Sequence, residues 1–160
     1  MDHPSTIYRS PEFLSGHCTP QAYRRWLARK ARGHVKRDRD RGNPSATIEE
    51  YKQAIHRAVE RSEGRDAYTG RSLRWDLISR YNNDEAKLRR RAYKKEFGDL
   101  PTVDHVADGL GPADFVICSW RVNDAKNDLD LTEFLQVCRD VLAHSGVAEG
   151  DGASQTRRCT

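Results

Sequence analysis

Two short runs rich in β-branched and apolar residues, LPTVDHV (100–106) and DFVICSW (114–120), flank the turn-rich segment ADGLGPA. Runs of this length bounded by Gly and Pro read as strands, and so short a connection joins them as an antiparallel hairpin. Nearly all remaining patterned sequence has helical spacing. The pair therefore restricts the chain to an α+β fold, mostly helical, with a small two-stranded antiparallel hairpin and an accompanying helix.

The helices announce themselves by their ends. Thr19 and Pro20 suit the cap and first position of a helix that Gly42 closes, with Tyr23, Leu27 and Ala31 as its apolar stripe. Thr47 and Glu50 form a capping box ahead of Ile48, Tyr51, Ile55 and Val59, and Gly64 stops that helix. A Thr69-Gly70 turn then leads into a strand-like alternation of Leu73, Trp75 and Leu77. A third helix is expected over NNDEAKLRRRAYKKEFG, started by Asn82 or Asn83 and ended by Gly98. A short helix begins near Asn123. The last, capped by Thr132, is expected to bury Phe134, Leu135, Val137, Cys138, Val141 and Leu142 before Gly146. Residues 1–18 read as an irregular lead-in, 19–64 as a basic helical region, 65–146 as the domain holding the hairpin, and 147–160 as a disordered tail.

At 160 residues the chain is long enough for one domain with its own core. No run approaches the ~20 apolar residues of a membrane span, and the N-terminus has no signal-like apolar stretch, so the expectation is a cytoplasmic protein without a membrane partner. Cys18, Cys118, Cys138 and Cys159 are scattered with no C-x-x-C pair, which favours buried thiols over a disulfide framework or zinc site.

Net charge is +4, but residues 1–65 carry 14 Lys/Arg against 8 Asp/Glu, whereas residues 101–160 carry 5 against 10. A basic arm suits a polyanion and an acidic end suits a divalent cation. The candidate phosphate-contacting residues are Arg24, Arg25, Arg29, Lys30, Lys36 and Arg37 in the first helix, with Arg89, Arg90, Arg91 and Lys94 in the third. They would grip the DNA backbone without reading sequence, giving salt-sensitive binding. Trp75 and Trp120 read as core residues.

Within the acidic end the adjacent Asp104 and His105 sit on the first strand, and Asn123 with Lys126 (N-x-x-K) opens the helix after the second. Strand, turn, strand, helix with these residues in order, preceded by DAYTG (66–70), resembles the HNH endonucleases, whose core is a ββα-metal motif. The resemblance implies that Asp104 is a metal ligand, His105 the general base and Asn123 the second metal ligand. Lys126 would touch a phosphate. The family's central Asn, which orients the loop between the strands, is replaced here by Asp114. DAYTG lacks the family's thiols, so the likeness is to the zinc-free branch, with Mg²⁺ or Mn²⁺ as the cation and no structural zinc.

The chemistry of the residues agrees with that implication. A carboxylate and a neutral amide oxygen form the sparse oxygen set that suits Mg²⁺, and a His with an ordinary pKa of about 6.5 can accept a proton from water at neutral pH. Strand alternation puts Asp104 and His105 on opposite faces. The expected activity is metal-dependent endonucleolytic hydrolysis, with DNA as the expected substrate. The alternative is a nucleic-acid-binding module whose HNH-like core has lost catalysis.

Overall fold

Thr19 Oγ1 accepts the Ala22 amide at 3.1 Å and Pro20 takes the first helical position, so α1 (Pro20–Asp40) starts where its residues dictate. The computed structural model describes residues 8–146. The buried face of α1 is wider than the expected stripe. Trp26, His34, Val35 and Asp38 join Tyr23, Leu27 and Ala31 in the interior.

The second helix, α2 (Ile48–Ser62), packs on α1 through Tyr51, Ala54, Ile55, Ala58 and Val59. Ile48 of its expected stripe stays exposed at 40%. Thr47 accepts the Glu50 amide, and its hydroxyl donates to the Glu50 carboxylate at 2.6 Å. Glu63 and Gly64 then turn the chain with positive φ values of 47° and 83°. Ahead of α1, Glu12–Leu14 form a 3-10 turn that buries Leu14 completely.

The segment after α2 departs from the expected strand. Among the described residues one isolated bridge, Arg65 to Ser72, is its only β pairing, and Trp75–Ser79 wind into a 3-10 turn. Leu73, Trp75 and Leu77 are buried as the alternation implied. The Leu73 amide goes to Gly64 O and the Arg74 amide to Asp99 O, both at 2.9 Å, so no partner strand runs alongside.

The expected third helix is broken in two, α3 (Asn83–Arg89) and α4 (Arg91–Glu96), at Arg90 with φ 45°. Asn82 is the cap, accepting the Asp84 and Glu85 amides. Leu88, an apolar residue of the expected helix, is 83% exposed. The break turns Tyr93 and Phe97 into the core, where their rings stack 4.1 Å apart.

The hairpin forms as expected. β1 (Pro101–His105) and β2 (Phe115–Ser119) pair antiparallel with Asp104 opposite Val116 and His105 opposite Phe115. Phe115 and Ile117 anchor it in the core, and Cys118 is fully buried. Cys18 and Cys138 are only half-buried, and Cys159 lies outside the described residues. β2 runs directly into α5 (Trp120–Lys126), which begins before Asn123. The fold is thus α+β, mostly helical, with one two-stranded antiparallel sheet.

The chain divides into two units between Ala125 and Lys126. The second contains α6 (Leu131–Ser145), whose cap is Asp130 rather than Thr132, in a reciprocal capping box with Glu133. The expectation that α6 buries its apolar residues fails. Leu135, Val137, Val141 and Leu142 are 42–61% exposed, while Phe134 and Cys138 are half-buried, because within this unit no second described element packs against them. The expected disordered tail, 147–160, lies outside the described residues, as do residues 1–7 of the lead-in. Among the described residues no helix is long and apolar enough to cross a membrane.

Candidate active site

Asp66 makes the local frame. Buried at 3% exposure, its Oδ1 accepts the Tyr68 and Thr69 amides at 2.8 and 3.2 Å, and its Oδ2 accepts the Ser119 amide at 2.8 Å. The Ala67 amide donates to Ile117 O at 2.9 Å. DAYTG is therefore fastened to the outer edge of β2, and Tyr68 reaches the hairpin face where its hydroxyl donates to Asp104 Oδ2 at 2.6 Å. Burial, then the bond to Asp104, pushes the Tyr68 phenol far up, so it remains a donor. Asp66 and Tyr68 were not among the expected site residues. Their signal is Asp two places before Tyr in a Thr-Gly turn, the spacing of a side chain capping its own turn.

The other face of β1 meets α1. His105 Nε2 lies 2.8 Å from Asp38 Oδ2, which also accepts the Tyr51 hydroxyl at 2.5 Å. With Asp38 as a carboxylate, which can only accept, and a neutral imidazole, the contact assigns the proton to Nε2 and the lone pair to Nδ1. The His34 ring stands edge-on to His105 at 4.8 Å and Phe115 lies 4.9 Å away on another side. His34 stays neutral because burial, followed by the Arg37 charge, pushes its pKa down to about 2. Asp38 is fully buried, and its Oδ1 has no hydrogen-bond partner among the described residues.

The loop between the strands closes over that carboxylate. A Cβ on Gly109 would lie 2.9 Å from Asp38 Oδ1, and Gly109 has φ 81°, so both space and backbone require glycine. Asn43, buried in the α1–α2 connection, donates from Nδ2 to Gly109 O at 2.9 Å, and Ser45 holds its Oδ1 at 2.8 Å. The loop-tying role expected of Asp114 thus falls to Asn43. Asp114 is exposed, with its carboxylate 3.6 Å from Arg61, and only its main-chain carbonyl, accepting the Val106 amide, supports the hairpin mouth.

The remaining expected residues divide. Asn123 sits half-buried in the first turn of α5 and is not its cap. Lys126 closes α5 and is buried, at the start of the second unit. Arg24, Arg25, Arg29, Lys36 and Arg37 are exposed on α1, with Lys36 paired to Asp40. Lys30 is not a surface cation. It turns inward to donate to Thr102 Oγ1 at 2.8 Å, and burial, followed by Arg29 and Arg37, pushes its pKa down to about 8. Arg89, Arg90 and Arg91 are exposed, while Lys94 is half-buried in an ion pair with Asp124.

A hard divalent cation takes oxygen ligands and, for Mg²⁺, keeps several waters. The Asp104 carboxylate and Asn123 amide fit such a cation in kind, and the Tyr68 hydroxyl fixes the orientation of the carboxylate. Among the described residues no three His, Cys, Asp or Glu side chains converge as a metal cluster. Comparison with protein-family models, with curated proteins and with solved structures gives no match for this chain.

Proposed function

We propose that the protein is an endonuclease that hydrolyses phosphodiester bonds, with DNA as its substrate and His105 as its general base. The observation that carries this reading is the buried Asp38 carboxylate on His105 Nε2. It fixes the tautomer, directs the Nδ1 lone pair away from the carboxylate, and stabilises the imidazolium that forms when Nδ1 takes a proton from water. His34, neutral beside it, adds no opposing charge. The exposed arginines of α1 would hold the phosphate backbone.

In this reading Asp104 and Asn123 would hold one Mg²⁺ or Mn²⁺, which when bound supplies charge neutralisation at the phosphate and leaving oxygen; because Asp104 and His105 leave β1 on opposite faces, the phosphate would have to meet both around the end of the strand. Tyr68 keeps the Asp104 carboxylate in one orientation. Asp114 paired with Arg61 in place of the loop favours the second reading, a nucleic-acid-binding module without catalysis. Incubating supercoiled plasmid with the protein, with and without Mg²⁺ or Mn²⁺, separates the two. Metal-dependent nicking that His105→Ala reduces by about 10²–10⁴ supports the endonuclease. DNA binding without nicking, or nicking indifferent to His105→Ala, overturns it.

A further inference from the structure

Most arginines around α3 and α4 are neutralised by carboxylates. Arg74 pairs with Asp76, Arg80 with Asp76 and Glu96, and Arg89 with Glu85 and Glu96. Lys87, Arg90 and Arg91 make no ion pair among the described residues. All three line one open cavity of about 400 Å³, together with Ala86, Lys94 and the indole of Trp120. Uncompensated positive charge is thus gathered at one hollow while neighbouring cations are cancelled.

The hollow is built from the break at Arg90, whose positive φ is a conformation that non-glycine residues rarely adopt. Its aromatic wall is distinctive too. Trp26 and Trp75 are 2% exposed, whereas Trp120 is half-buried, wedged edge-on against Tyr81 and Tyr93 at 5.9 and 6.5 Å. The Lys94 ammonium lies over the Trp120 ring, 5.2 Å from its centroid, and is held by Asp124, so a base stacking on that face would take its place. Cations for phosphate beside an indole for a base face is the pairing used to bind unpaired nucleotides. The volume falls within the ~300–1,000 Å³ of small-molecule sites, and a surface that only grips a duplex backbone has no use for the indole.

We propose that this cavity receives one unpaired nucleotide of a nucleic-acid strand, its base against Trp120 and its flanking phosphate on Lys87, Arg90 and Arg91. The proposal rests on the nucleic-acid reading above and makes the substrate single-stranded, or opened, at this point.

Fluorescence anisotropy of labelled hexathymidylate with the full chain, in EDTA, tests it. Lys87→Gln/Arg90→Gln/Arg91→Gln should bind at least about tenfold more weakly, with the salt slope shallower by roughly 0.7, the value for one single-strand phosphate contact. Trp120→Leu should weaken binding by about 5- to 150-fold, the range for loss of one stacked base. If that variant unfolds, quenching of the tryptophan emission by hexathymidylate in the wild-type protein is the readout, since Trp26 and Trp75 are 2% exposed and shielded from the ligand. A duplex of equal length should lose less than the single strand in each variant. Unchanged hexathymidylate affinity, equal loss for the duplex, no quenching, or full competition by inorganic phosphate at equal phosphate concentration would each overturn the proposal. Because EDTA removes cleavage from the measurement, plasmid nicking with an inert cavity condemns the cavity alone. Cavity binding without nicking condemns the nuclease alone.

Discussion

His105 Nε2 and Asp38 Oδ2 lie 2.8 Å apart, joining the end of β1 to a fully buried carboxylate in the last turn of α1. The carboxylate dictates which imidazole nitrogen is free. Asp38→Asn keeps the shape, but its amide can donate to Nε2 and drive the proton to Nδ1. Plasmid cleavage should fall by about 10²–10⁴, with DNA affinity unchanged and the pH profile altered. Cleavage at the wild-type rate with an unchanged pH profile would remove His105 from the proposed role.

His34 makes stability fall in mild acid. Its folded pKa is depressed, chiefly by burial and then by Arg37, so below about pH 6.5 the unfolded chain binds a proton that the native state refuses. Stability is full above that pH and is lost as pH falls, at up to about 1.4 kcal/mol per pH unit for this group. His56, lowered by burial, adds in the same direction. Urea midpoints at pH 7, 6 and 5 should show a shallower acid slope for His34→Phe, whatever its absolute stability. An equal slope would mean that His34 does not titrate as its surroundings imply.

Lys30 acts with the same sign in alkali. Its pKa of about 8 lies below the unfolded value, so stability should rise with pH above 8 as the buried amine sheds its proton. Tyr8, Tyr23, Tyr51 and Tyr68, all raised, reverse the trend once unfolded phenols ionise, so the measurement belongs below about pH 9.5. Lys30→Met should flatten the rise and leave stability at pH 7 equal or higher, because a buried charge is replaced by an apolar chain of similar length. A variant that keeps the full slope would place its source elsewhere.

If the exposed arginines on α1 hold DNA as proposed, they should give a salt signature. Changing Arg24, Arg25 and Arg29 to Gln should weaken duplex DNA binding and make the slope of log affinity against log salt shallower by up to about 2.7, at roughly 0.9 per contact. The Lys30→Met variant serves as the internal control, because that amine faces Thr102 and should leave the slope unchanged. Identical slopes for the triple variant and the parent would make α1 a structural element only.

Local chemistry was legible in the sequence and long-range packing was not. Thr19, Thr47, Gly64 and the two strands act through neighbours within a few residues, so their types alone placed them. Asp38 stands in KRDRDRG, a run that reads as solvated charge. Its burial depends on Tyr51, His105 and Gly109, which no local pattern links to it. Asn43 was hidden in a connector for the same reason. The alternation of Leu73, Trp75 and Leu77 correctly marked inward residues, but a 3-10 turn can bury them as well as a strand can. For α6, a helical stripe reported amphipathicity, which is a property of the helix and says nothing about whether a partner surface covers it.

The bond from Asp38 to His105 spans 67 positions of chain, and closing a loop of that length costs about 4 kcal/mol in chain entropy before any contact repays it. The hairpin is not a portable cassette, because its histidine has its partner only with the helical arm in place, and Asn43 of that arm also holds the intervening turn. A fragment beginning at residue 65 would retain every letter of the motif, yet its imidazole would be free to rotate and to exchange tautomers.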